Sequence, residues 1–103
     1  MKRLEALQTL LDCYLHEDWK DDYSDLWHAV DDFIDGQPDW APRFNADMQQ
    51  LLGECATEQE IEQRFDQLGA VYYPPGGGWD SYRAWLVAVA DYVEKHLHKA
   101  PAA

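Results

Sequence analysis

Apolar residues recur at intervals of three and four along almost the whole chain, and Gly or Pro closes most of the later stretches. That spacing confines the fold to helices packed through one face. Leu4, Leu7, Leu11 and Tyr14 share such a face and predict a first helix over 2–15, followed by a polar connector from His16 to Tyr23. Ser24 is suited to cap a second helix, with Asp25 favourable at its positive end; Leu26, Val30, Phe33 and Ile34 face inward. Gly36 ends this helix and Pro38 forbids its return. Pro42 fits the first turn of a third helix, in which Phe44, Met48, Leu51 and Leu52 form the stripe and Gly53 the stop. Thr57 and Glu60 make a capping box for a fourth helix, with Ile61, Phe65 and Leu68 inward and Gly69 beyond. Asp80 or Ser81 caps the fifth, striped by Tyr82, Trp85, Leu86, Val89, Val93 and Leu97, with Lys95 and Lys99 at its negative end.

The run Val71-Tyr72-Tyr73 has extended character, but Pro74 to Gly78 ends it, and one such run without a partner builds no sheet. A chain of 103 residues suits one domain with its own core. The expectation is an all-α, single-domain bundle of about five helices without a sheet, with 98–103 as a frayed tail.

Charge narrows the function. Twenty acidic residues face eight basic ones, a formal net charge of -12. Phosphate backbones reward Lys and Arg, which argues against direct nucleic-acid binding, and anionic membranes are disfavoured for the same reason. A cationic protein partner would be drawn in. The acids are not spread evenly. Residues 12–39 hold ten of them against Lys20 alone, so this window carries -9 and the rest of the chain only -3. Trp19, Tyr23, Trp27 and Trp40 interleave the acids. A solvated helix face would account for the charge; the aromatics favour a binding face, because anchors inside a charged rim are what tight interfaces use. The N-terminus lacks the apolar core of a signal peptide, and no stretch approaches a bilayer span, which places the chain in the cytoplasm.

No constellation points to catalysis. Carboxylates are too many for any pair to stand out as acid and base. Cys13 and Cys55 lie in apolar helical contexts and read as small buried hydrophobes. Cys13 and His16, with Glu17, Asp18, Asp21 and Asp22 nearby, fall short of a zinc motif. His96 and His98 point to different helix faces, and with His28 they read as surface residues, while His16 reads as a capping or structural histidine. Gly76-Gly77-Gly78 lacks the Lys of a phosphate loop and leads into Trp79-Asp80. Neither a metal nor another cofactor is expected. The flanking Tyr72, Tyr73 and Trp79 either pack on the core or present a second binding edge.

The segment Leu11-Asp12-Cys13-Tyr14-Leu15-His16-Glu17-Asp18-Trp19, followed by Asp22-Tyr23, resembles the signature of the CdiI-type immunity proteins of bacterial contact-dependent growth inhibition systems. That signature runs approximately Tyr-Phe-His-Gln-Asp-Trp with a Tyr soon after. Tyr14, His16, Asp18, Trp19 and Tyr23 match it, while Leu15 stands for Phe and Glu17 for Gln. The resemblance implies a helical cytoplasmic antidote, not an enzyme, that binds the toxin domain of a delivered surface protein, commonly a nuclease, and blocks its active or substrate-binding site. Because the signature accompanies different toxins, it implies a structural role for these five residues. Tyr14 and Trp19 would lie in the core, and Asp18 would bond backbone at the next turn.

The candidate partner-binding residues are Asp18, Asp21, Asp22, Asp25, Trp27, Asp32 and Asp35, together with Tyr72, Tyr73 and Trp79. The expected partner is a basic nuclease toxin domain met by a monomer. The rival reading is a small acidic adaptor that docks on a cellular protein and inhibits nothing.

Overall fold

The computed structural model describes residues 4–99, the side chains of Pro75, His98 and Lys99 apart. Six α-helices follow one another: α1 (Glu5–Thr9), α2 (Trp19–Asp22), α3 (Leu26–Gly36), α4 (Phe44–Glu54), α5 (Glu58–Gln67) and α6 (Tyr82–Lys99). No strand occurs among the described residues. The fold is the all-α bundle that the periodicity implies, with one helix more than the five expected. The addition is α2, a four-residue turn inside the polar connector, too short to show a period. The start of the first helix at residue 2 and most of the expected frayed tail lie outside the described residues; α6 runs on to Lys99.

The first helix widens as it proceeds. From Leu10 to Tyr14 it continues as a π-turn, closed by Leu15 N–H donating to the Leu10 carbonyl at 2.9 Å. A π-turn holds one extra residue per turn. Leu10 and Leu15, five apart, are thereby both buried, and Asp12 and Cys13 turn outward. Cys13 is exposed, contrary to its expected burial, whereas Cys55 is buried. Burial pushes the Cys55 thiol above its ordinary value.

Two helices take their N-terminal caps from elsewhere in the chain. Nothing local caps α1. Instead Asp47 of α4, 4% exposed, accepts from Ala6 N–H at 2.8 Å and Leu7 N–H at 3.2 Å. A carboxylate there satisfies two donors that a helix start leaves open and faces the positive end of its dipole. Glu58 does the same for α6, accepting from Tyr82 N–H at 2.8 Å and Arg83 N–H at 3.1 Å. Ser81, one of the two expected caps, adds a bond from Ala84 N–H at 3.0 Å. The Thr57–Glu60 capping box is present in full. Asp25, not Ser24, caps α3, accepting from His28 N–H at 3.0 Å. Ser24 hydrogen-bonds the His28 ring instead.

The expected stops divide. Gly69 sits at φ +78°, and the bonds Gly69 N–H to Asp66 and Ala70 N–H to Phe65 close α5 around it. Gly53 lies inside α4 and stops nothing. Gly36 is the last residue of α3, and its glycine character answers a close approach: a Cβ there would stand 2.8 Å from the Tyr14 hydroxyl.

The buried residues form one cluster. Helix α6 is its axis and packs against α3, α4 and α5. Trp85 at its centre is fully buried and meets Phe65 edge-on.

Candidate functional site

The matched signature forms a brace around the connector. Tyr14 packs edge-on against Phe33, and its hydroxyl accepts from Gln37 Nε2 at 3.2 Å. His16 folds over the start of α2. Its Nδ1 accepts from Asp18 N–H and its Nε2 lies 3.1 Å from Asp22, a pattern satisfied by the neutral ring protonated at Nε2. The Asp18 side chain makes no capping bond; its backbone N–H does the bonding, the reverse of the expectation. Tyr23 donates to Asp32 at 2.5 Å. Burial, and then the Asp32 bond and charge, push that phenol far above its ordinary range. Tyr14 and Trp19 are half-buried against the core and do not enter it, because each lies where the connector crosses its surface.

Trp19 instead closes one side of a groove. It meets Tyr72 edge-on at 5.7 Å, and Trp27 meets Trp79 edge-on at 6.1 Å. Two cavities lie beside the first pair, the larger reaching to the second, and they share Trp19, Lys20, Tyr72 and Gly77 as walls. The smaller, about 350 Å³, opens toward His16, Glu17 and Tyr73. The larger, about 500 Å³, opens toward Asp25, Leu26, Trp27 and Trp79. Trp27 is backed by Tyr92, stacked on it at 4.5 Å, and His96 stacks behind Tyr92 at 3.9 Å. His96 is accordingly half-buried, not the surface residue expected, while His28 is exposed; the side chain of His98 lies outside the described residues. Tyr92 donates to Asp31 at 2.7 Å, and burial together with that carboxylate raises its pKa to about 12.

The segment after α5 supplies the far wall. Pro74–Gly77 form a 3₁₀ turn, and Gly78 follows at φ +94°. A Cβ on Gly77 would lie 3.0 Å from the Tyr72 hydroxyl, a tight approach that would push the ring aside by a few tenths of an ångström. Tyr72 is buried, which raises its pKa, while Tyr73 and Val71 are more than half exposed at the rim. Of the two possibilities left open for this segment, Tyr72 packs on the core, while Tyr73 and Trp79 line the groove.

The candidate residues therefore separate into groups. Asp25, Trp27, Tyr72, Tyr73 and Trp79 line the groove. Asp18, Asp21 and Asp22 are exposed on or beside α2, next to it. Asp32 holds Tyr23, and Asp35 lies eight residues past Trp27, about 12 Å further along α3. Lys20, Glu17, Leu26, Val71 and the glycines 76–78 also line it and were not among the candidates, and His16 and Trp19, expected to be structural, line it too. The alternation of Lys20 with Trp19 was the available signal for the first of these. Among the described residues no three His, Cys, Asp or Glu side chains are grouped to hold a metal. No helix among them is long and apolar enough to cross a membrane.

The described architecture is that of a small helical protein with an aromatic groove beside an acidic surface. The profile of the CdiI immunity protein family matches residues 3–93, nearly the whole chain, and the chain belongs to that family. It is a toxin-neutralising immunity protein of contact-dependent growth inhibition and binds a cognate toxin; proteins of this kind are generally not enzymes. No curated protein and no solved structure matches it. Family membership decides between the immunity reading and the adaptor reading in favour of the first.

Proposed function

We propose that the cognate toxin docks across the aromatic groove and the acidic surface beside it, and that the toxin is a basic nuclease whose substrate-binding surface is covered in the complex. The observation that supports this most is convergence. Two stretches some fifty residues apart, each marked by surface aromatics, meet in one concavity, and the -9 window of the chain surrounds one of its sides. Half-buried Trp and Tyr side chains backed by a rigid stack are preorganised anchors. The acidic surface suits the cationic groove in which a nuclease holds phosphates. The protein acts in the cytoplasm as a monomer, without catalysis.

Binding kinetics against the purified toxin domain test this reading. Tyr73→Ala removes a groove aromatic that is 54% exposed and is expected to speed dissociation at least tenfold, with only a small fall in melting temperature from its lost edge contact with Tyr82. Asp18→Lys with Asp21→Lys is expected to slow association, and the slowing should vanish at high salt. Asp25 is spared because it caps α3. Unchanged kinetics in both variants would place the interface on another surface. A complex in which the toxin still cleaves nucleic acid would rule out occlusion.

A further inference from the structure

We infer that the larger cavity of the groove receives a guanidinium or ammonium side chain of the toxin, and that Lys20 holds this place in the free protein. The inference rests on the groove being the docking surface. The cavity is walled by four aromatic residues, Trp19, Trp27, Tyr72 and Trp79, with Asp25 at its edge. Trp19 meets Tyr72 at 73° and Trp27 meets Trp79 at 78°, so neither pair closes up as a parallel stack. An aromatic face attracts a cation through its quadrupole, and a nearby carboxylate adds to the pull.

The behaviour of Lys20 is the internal sign. Five carboxylates, Glu17, Asp18, Asp21, Asp22 and Asp25, lie within five positions of it in sequence. Among the described residues Lys20 nevertheless forms no ion pair; its Nζ stands 5.9 Å from the centre of the Trp19 ring. The one cation of the acidic window thus sits over a ring of the cavity in preference to the surrounding carboxylates. A neutral apolar anchor would gain nothing from that acidic setting, whereas a partner's Arg or Lys would gain from both rings and charge. Lys20, exposed on a four-residue helix, can swing away when the stronger ligand arrives.

Arginine amide serves as the probe, with the indole N–H resonances of the full-length protein as the readout. Trp40, whose ring is covered by Arg43 at 5.2 Å and which lines neither cavity, is the reference. Saturable shifts are expected at Trp19, Trp27 and Trp79 and not at Trp40, and norleucine amide should produce none. Lys20→Met should tighten the probe about two- to fivefold by removing the resident cation. Lys95→Met, which deletes an equal charge on α6, should leave it unchanged. Equal shifts with norleucine amide, equal shifts at Trp40, or weaker probe binding in Lys20→Met would each overturn the inference while leaving groove docking intact. Toxin kinetics unchanged both in Tyr73→Ala and in the Asp18→Lys, Asp21→Lys double variant would overturn groove docking and this inference with it.

Discussion

A closed region of the molecule and an open one use the same residue types differently. Around α4, α5 and α6, the rings of Phe44, Phe65 and Trp85 are fully enclosed. In the open region Trp19, Trp27 and Trp79 are half-buried, Trp19 edge-on to Tyr72 and Trp27 edge-on to Trp79, and line a cavity. Carboxylates divide in the same way. Asp47 and Glu58 each close a helix start, whereas Asp18 and Asp21 stand in solvent. The first region converts aromatic area and acid charge into stability. The second leaves area and charge on the surface, where they can serve only a partner or solubility.

Substitutions that cross this divide should expose it. Trp85→Ala opens the closed region and should cost about 3–5 kcal/mol in urea unfolding. Asp47→Ala leaves two buried N–H groups of α1 without their acceptor and should cost about 1–3 kcal/mol. Trp19→Ala, in the open region, should cost less, about 1–2 kcal/mol, since its ring is only partly buried against the core. A Trp19→Ala loss as large as that of Trp85→Ala would erase the distinction between the regions.

A further effect appears only at high pH. Burial and neighbouring acids raise Tyr82 and Tyr92 to about 12. A raised pKa means that between pH 10 and 12 the folded state holds protons which the unfolded state has released. Stability is therefore fully present below pH 10 and falls as pH rises toward 12. Urea midpoints measured across that window should decline, and less steeply in Tyr92→Phe than in the parent. The smallest change belongs to Cys13→Ser. Cys13 is exposed, so the shift should stay within about 0.5 kcal/mol; a larger loss would mean that the π-turn depends on it.

Much of the fold was legible because its signals are short-range. A capping box spans four residues, and a helical stripe repeats every three or four. Thr57 with Glu60 and the stripe of α6 could be read directly for that reason. The misreadings have equally physical causes. Cys13 left its expected face because the π-turn adds a residue to the helical period. Gly53 looked like a stop, but α4 runs through it to Glu54; Gly36 does end its helix, and it also makes room for a tyrosine hydroxyl 22 residues earlier. The caps from Asp47 and Glu58 left no local trace, since their recipients lie 41 and 24 residues away.

The sequence by itself determined that the chain is helical and strongly acidic, and it carried the signature of its family, because periodicity, charge and a contiguous motif are properties of neighbouring residues. Only the tertiary structure decided which acids remain at the surface and which hold the fold together. Asp31 and Asp32 looked like their neighbours in the acidic window until Tyr92 and Tyr23 were brought against them. The groove was likewise invisible along the chain. Its two walls come from segments joined only when α3 and α6 pack together, and the shape of a cavity depends on which side chains that packing leaves unburied.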